Sequence, residues 1–148
     1  GKRVACKVST RSGPDQVVAV RAEPSGEMQA IGNEGSRFPV TEGSSGAALL
    51  ADMPPGDALA LMRSLPKCQT DARFLRSALA DIRRNGWCGR RHISNWPISA
   101  LSAPLRSPDG SIAAALTFIV PDERFDDPAL PPLLLDTARK CELKMENQ

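Results

Sequence analysis

The hydrophobic patterns of this 148-residue chain predict an α+β domain, with a central antiparallel sheet and helices packed around it. Turn sequences join two predicted strand pairs, Ser-Gly-Pro-Asp at 12–15 and Ser-Pro-Asp-Gly at 107–110, and both favour hairpins. The predicted helices are grouped between these pairs, and one more follows the second pair. This order is typical of an antiparallel sheet covered by helices.

The first half of the chain is predicted to hold three strands and two short helices. The strands are expected at 4–9, 16–22 and 28–31. A helix over 44–53 should stop at Pro54 and Pro55, because proline cannot continue a helix. A second helix is expected at about 57–64, with Leu59 and Met62 buried.

A third helix is predicted up to Asn85, with Thr70 or Asp71 as its cap and Gly86 as its C-terminal stop. Its apolar residues recur at helical spacing and define one face: Phe74, Leu75, Ala78, Leu79 and Ile82.

The second half of the chain is predicted to form three more strands and a last helix. The strands are expected at 87–92, 98–106 and 112–120. Along 112–120, apolar residues at even positions alternate with Ala113, Ala115, Thr117 and Ile119 on the other face. The last helix should begin among the prolines at 128, 131 and 132, since proline fits a first turn. Its predicted inner face is Leu130, Leu134, Ala138, Cys141 and Met145.

Composition excludes several classes of protein. Hydrophobic residues make up 41% of the chain and charged residues 24%, which is ordinary for a soluble globular domain. No apolar run reaches the roughly 20 residues of a membrane helix. The four cysteines, Cys6, Cys68, Cys88 and Cys141, lack the spacing of a metal or redox motif, and His92 is the single histidine. We therefore expect reduced thiols, a cytoplasmic location, and no metal or cofactor.

Positive charge is concentrated between residues 83 and 108, although the net charge is only +2. This stretch has no acid and five arginines: Arg83, Arg84, Arg90, Arg91 and Arg106. With Trp87 and Trp96 it could bind nucleic acid, but the arginines fall on different predicted elements, which favours solvated or ligand-facing roles. Trp87 should pack in the core, whereas Trp96 could be core, a lid or part of an interface.

Glycines and serines gather at 43–46, where the helix over 44–53 begins. Two interpretations are open. Ser44 or Ser45 could cap the helix, which this segment alone favours. Alternatively, small residues there leave backbone N–H groups open for a carboxylate or phosphate.

No catalytic motif is present in the sequence. There is no Gly-x-Ser-x-Gly, phosphate loop or dinucleotide fingerprint. Cys88 and His92 would share one face of a strand, which is only the minimum condition for a thiol hydrolase. The sequence therefore predicts that this domain is not an enzyme.

Three phrases carry a resemblance to a known family. They are Gly35-x-Arg37-x-Pro39 followed by Gly46-x-Ala48-Leu49-Leu50-Ala51, then Leu75 to Gly86 followed by Trp87, then Ser102-Ala103-Pro104-Leu105 through Asp109-Gly110 to Ala114-Ala115-Leu116. In this order and spacing, the chain resembles the C-terminal effector-binding domain of the IclR family of bacterial transcription regulators.

The resemblance implies a GAF/profilin-like fold with a ligand pocket on one face of the sheet. It also implies that residues 1–148 form one effector-binding domain. It implies a homodimer or homotetramer whose rearrangement controls DNA binding. Operator DNA would be bound by an N-terminal winged helix-turn-helix. We expect that domain to be absent from this chain, because the first strand begins at Val4.

The resemblance also implies the residues of the pocket. They are Phe38, Ser44, Ser45, Gly46, Arg90, Ala100, Thr117 and Ile119. The residue pattern agrees at Thr117, the one polar side chain on its face of an apolar strand, which needs a partner from protein, water or ligand.

Departures from the family pattern suggest the charge of the effector. The sequence has Arg90-Arg91-His92 where the family often has acids, Ala100 where it often has cysteine, and an unusual Glu42-Gly43 lead-in. A basic pocket edge suggests an anionic effector, with a carboxylate at the start of the 44–53 helix near Arg90. Alternatively, Arg90 and Arg91 alternate on a strand and at least one points to water.

Three functions from different classes remain open, and the third, a thiol or serine hydrolase, would be revealed by turnover of a candidate ligand. The chain is predicted to be a small-molecule sensor. A defined cavity at Ser44, Thr117 and Arg90 would support this function. The alternative is a stand-alone oligomerisation or binding module whose pocket has collapsed.

Overall fold

The computed structural model describes residues 4–22, 33–93 and 97–147, which form one α+β unit. The strands are β1 Ala5–Ser12, β2 Asp15–Ala22, β3 Arg37–Pro39, β4 Cys88–Arg90, β5 Ile98–Arg106 and β6 Ile112–Pro121. The helices are α1 Gly43–Leu49, α2 Pro55–Arg63, α3 Ala72–Asn85 and α4 Leu130–Glu146, with a 3₁₀ turn at Asp122–Arg124. Within these residues, six strands form one antiparallel sheet in the order β3-β2-β1-β6-β5-β4. The predicted fold class is confirmed.

Several element boundaries differ from the prediction. The third strand is Arg37–Pro39, while the strand expected at 28–31 lies outside the described residues. The strand expected at 87–92 is only Cys88–Arg90, and His92 soon after it has a left-handed φ of 53°, which extended backbone does not allow. Helix α1 ends at Leu49 rather than at 53. Beyond it the backbone hydrogen bonds change to the tighter pattern that spans three residues, and Ala51 N donates to Ala48 O at 3.4 Å.

Strand β6 separates two different layers, as its alternating sequence predicts. On one face, Leu116, Phe118 and Val120 pack with Leu130 and Leu134 of α4. The other face carries Ala115, Thr117 and Ile119. The buried residues of α4 include Leu130, Leu134 and Ala138, while Cys141 and Met145 are half-buried. Trp87 packs at the edge of this layer, and Trp96 lies outside the described residues.

Helices α1, α2 and α3 form the layer on the opposite face of the sheet. The predicted apolar face of α3 is buried except for the half-buried Phe74. Asp71 is its N-cap, because its Oδ1 accepts a hydrogen bond from Phe74 N at 2.7 Å. Gly86 ends it with a left-handed φ of 87°. Both ends of α3 are therefore as the sequence predicts.

Helix α1 packs mainly over β5 and β6 and only lightly on β1. The sheet extends beyond it through β1, β2 and β3. Because α1 covers one part of this face, a cavity remains between the start of α1 and the adjoining strands.

Candidate functional site

The cavity has a volume of about 670 Å³, within the usual range for small-molecule sites. Its floor is the sheet face that carries Lys7, Gln16, Ala100, Thr117 and Ile119. The chain around β3 and the start of α1 forms its wall, as do segments near residues 67–69 and 90–93. It therefore lies on the face where the resemblance implies a pocket.

Seven of the eight predicted site residues line this cavity: Phe38, Ser44, Ser45, Arg90, Ala100, Thr117 and Ile119. Gly46 does not line it. A Cβ at Gly46 would lie 2.5 Å from Val40 O and 2.7 Å from Thr41 C. Glycine at 46 thus allows α1 to approach the preceding backbone, which is a packing role.

Thr117 has a protein partner. Its Oγ1 lies 2.7 Å from Ser102 Oγ, which in turn lies 2.8 Å from Ser44 Oγ. All three hydroxyl-bearing residues are buried. This chain of hydroxyl groups connects α1 to β5 and β6, so the polar residue on the apolar strand is satisfied inside the fold.

Ser45 and Gln16 form a second buried polar pair. Ser45 Oγ donates to Gln16 Oε1 at 2.6 Å, and Gln16 Nε2 donates to the carbonyls of Pro39 and Glu42 at 2.9 Å each. These bonds tie β2 to the lead-in of α1.

The interpretation of Ser44 or Ser45 as a helix cap is wrong. Glu42 occupies the N-cap position, and its side chain makes no capping hydrogen bond. The Gly43 N–H donates instead to Thr70 Oγ1 at 2.8 Å. The serine hydroxyls are drawn to tertiary partners, which compete with local capping.

Arg90 lies at the cavity with its charge already balanced. Its Nη1 donates to Thr70 Oγ1 at 2.8 Å and lies 3.6 Å from Glu42 Oε2. The guanidinium also lies 5.0 Å from the centre of the Phe74 ring. Glu42 accepts further bonds from the Thr70 hydroxyl and, at 2.8 Å, from Gln69 N. Glu42, which is unusual in this lead-in, is thus the partner of the unusual Arg90.

Lys7 is a cavity residue that sequence reasoning missed. It is only 7% exposed and lies on β1 between Thr117 of β6 and Arg21 of β2. Its Nζ lies 5.4 Å from the centre of the Phe38 ring. Burial lowers the pKa of Lys7 from 10.5 to about 8, and the charge of Arg21 adds to this. The available signal was period-two alternation in β1, which places Lys7 on the buried face with Ala5 and Ser9.

Three other arginines of the basic stretch form separate ion pairs. Arg84 pairs with Asp81 at 3.3 Å, Arg106 with Asp52 at 2.7 Å, and Arg91 with Asp126. Each pair belongs to a different part of the surface. This arrangement favours a solvated role over a continuous nucleic-acid surface.

Cys88 and His92 do not form a reactive pair. Cys88 is buried, its Sγ donates to Ser44 O at 3.6 Å, and burial strongly raises the pKa of its thiol. His92 is 71% exposed, and its Nδ1 lies 2.6 Å from Asp122 Oδ2. Asp122 also accepts from Ser99 Oγ at 2.6 Å, and this bond is the main cause that lowers the pKa of Asp122. The thiolate that a hydrolase needs is therefore disfavoured here.

The described part of the chain contains no group of three side chains that could hold a metal ion, and all four cysteines are unpaired. None of its helices combines the length and apolar character needed to cross a membrane.

The fold and the partly open cavity define the class as an α+β domain with a candidate small-molecule site on one sheet face. The sequence profile described as bacterial transcriptional regulator IclR C-terminal matches residues 3–145. The chain therefore belongs to the family of IclR-type regulator C-terminal domains. Members are transcription regulators, so this is an effector-binding domain and not an enzyme.

Solved structures show the same fold. A Rhodococcus sp. RHA1 protein described as a transcriptional regulator is 25% identical, with a TM-score of 0.80 over 97% of this chain and 63% of its own. The Agrobacterium tumefaciens repressor BlcR is 20% identical, with a TM-score of 0.80 over 97% of this chain and 60% of its own. This chain thus spans less than two thirds of either protein.

A third structure holds a ligand. It is a double mutant of the inducer-binding domain of the Acinetobacter transcription factor PobR, in complex with 3-hydroxybenzoic acid. It is 19% identical, with a TM-score of 0.72 over 94% of this chain and 87% of its own. No curated protein gave a significant match to the sequence.

Proposed function

We propose that this domain senses a small organic acid and passes its binding on to DNA binding by an IclR-type regulator. The observation that carries the proposal is the charge of the cavity. Of the described residues, four with basic side chains line it, Lys7, Arg37, Lys67 and Arg90, against one acid, Glu42. This excess of positive charge favours an anionic occupant.

The shape of the site supports a sensor over a collapsed module. Ser44, Thr117 and Arg90 all line one cavity of about 670 Å³, large enough for a small organic molecule. The PobR domain, which shares the fold, holds a carboxylic acid in its crystal structure, and this supports the ligand class while leaving the compound open.

The route from ligand to DNA is also part of this proposal. Operator binding would belong to an N-terminal domain outside these 148 residues. Homodimers or homotetramers would change arrangement on ligand binding, because a ligand shifts an equilibrium only by binding one state better. A regulator of this kind would act in the cytoplasm.

A panel of small carboxylic acids and their amides tests the ligand class. Melting temperature and calorimetric affinity would be measured for the full-length regulator with each compound. At least one carboxylate should raise the melting temperature and change operator affinity, because a ligand that binds the folded state stabilises it. Stabilisation by amides but by no carboxylate would contradict the proposal.

A further inference from the structure

Lys7 is placed where a surface lysine would not be. It lies in the middle of β1, with β2 on one side and β6 on the other, and its side chain lines the cavity while only 7% exposed. A lysine usually keeps its ammonium group in water, because removing a charge from water costs several kcal/mol without a partner.

No such partner is present in the part of the chain that the structure describes. Among the described residues, no carboxylate oxygen lies within 4.0 Å of Lys7 Nζ, and no hydrogen bond is made to it. Its neighbours are the Phe38 ring and the like charge of Arg21. The ring compensates only in part, because a single cation–π contact contributes about 0.5–2 kcal/mol.

The other basic groups around the cavity are compensated. Arg90 is paired with Glu42 and Thr70, and Arg37 lies 3.0 Å from Asp15 Oδ2. Lys67 is exposed, so water solvates its charge. Among the described cavity residues, Lys7 is therefore the cation whose side chain is largely buried, whose Nζ lies at the cavity, and which lacks a carboxylate.

We propose that Lys7 Nζ binds the carboxylate of a small monoanionic ligand, and that Lys7 holds the ligand's charge in place of the sequence-predicted Arg90. This inference rests on the proposed function, a sensor of small organic acids. A carboxylate at Lys7 supplies the missing partner, so ligand binding removes a cost that the free domain carries. Among the described cavity residues, a second carboxylate would find no further buried cation without a carboxylate partner, which disfavours dianions.

The rest of the ligand should be mainly apolar. The hydroxyls of Ser44 and Thr117 are already bonded through Ser102, and Ser45 is bonded to Gln16. A ligand that needed those groups would have to break buried hydrogen bonds. Ile93, Ala100 and Ile119 offer an apolar surface instead. The class is thus a monocarboxylate with an aliphatic or aromatic body.

The test measures affinity of the full-length regulator for monocarboxylates (acetate, hexanoate, benzoate and phenylacetate), with benzamide and terephthalate as neutral and dianionic comparisons. Lys7→Met should weaken binding of the best monocarboxylate by about 10- to 100-fold, the range for a charge-assisted hydrogen bond. Lys7→Gln, which keeps a donor without the charge, should lose a similar amount. The matched control is Lys140→Met, because Lys140 is exposed on α4 and forms a surface ion pair with Asp136.

The outcomes separate this inference from the proposed function. If no monocarboxylate binds the wild-type regulator, the proposed function fails, and the inference with it. If a monocarboxylate binds the wild type and Lys7→Met equally, the inference alone is overturned. The double variant Glu42→Gln/Arg90→Gln removes that ion pair as a unit, and it should lose less affinity than Lys7→Met. A larger loss of affinity in this double variant would show that Arg90, and not Lys7, binds the ligand's carboxylate.

Discussion

Replacing Lys7 with methionine should stabilise the ligand-free domain. The pKa of Lys7 falls from 10.5 to about 8 in the folded protein, because burial disfavours its charged form. A pKa change of one corresponds to about 1.4 kcal/mol, so the folded state carries a cost of about 3 kcal/mol at neutral pH. Lys7→Met removes this cost and should raise the free energy of unfolding by about 2–3 kcal/mol.

The pH dependence of this difference identifies its cause. Below pH 8, Lys7 is charged in both states and the full cost is present. Between pH 8 and 10.5 the unfolded chain binds more protons than the folded chain, so the stability contributed by Lys7 improves as pH rises. The advantage of Lys7→Met should therefore shrink across this window and level off above it.

Urea denaturation at a series of pH values measures the effect. Lys140→Met is the control, because the same substitution at an exposed site should change stability by less than about 0.5 kcal/mol. Subtracting the control removes effects of other groups that titrate at high pH. A destabilised Lys7→Met variant at neutral pH, or a difference that does not vary with pH, would refute the reasoning that the Lys7 charge is buried without a partner.

Three further outcomes are expected. Gly46→Ala should lower the free energy of unfolding by about 1–3 kcal/mol in urea titrations, because its Cβ would lie 2.5 Å from Val40 O. The control Gly56→Ala meets nothing within 4 Å and should be neutral or slightly stabilising, and equal effects would contradict the close approach at Gly46. Residues 1–148 alone should show no operator-selective gel shift at near-physiological salt. The reason is that arginines of the basic stretch, such as Arg106, form ion pairs with acids at separate positions on the surface. Operator-selective binding by these residues would contradict this prediction. Sedimentation at high concentration should show self-association by a two-fold contact, and a species of 15.9 kDa alone would count against it.

The parts of the fold that local chemistry controls could be predicted from the sequence. Both hairpin turns, the Asp71 cap and the Gly86 stop depend on a few neighbouring residues, and all are present as expected. Strand β5 also has the predicted bounds. The premature end of α1 and the shortness of β4 were missed, because tertiary packing and one left-handed residue, His92, decide them.

The site could be predicted only in outline. The resemblance led to seven residues that share one cavity, but it could not reveal which of their polar groups are already bonded. Glu42 neutralises Arg90 across 48 positions of sequence, and no local pattern indicates such a pair. Lys7 was missed because a lysine on a strand is usually expected to face solvent, and its burial depends on both neighbouring strands.

The two unlike faces of the sheet allow ligand preference and stability to be altered separately. On one face, α4 packs on its apolar partners on β5 and β6, and no described residue of α4 lines the cavity. The opposite face holds Lys7, Thr117 and the other groups that surround the site. Neighbouring residues of one strand face opposite sides of the sheet. A substitution on one side therefore changes the packing of α4, and a substitution on the other side changes the surroundings of the ligand. Substitutions that change the effector can be made on the cavity side of the sheet, and the stability that they cost can be restored by substitutions on the α4 side.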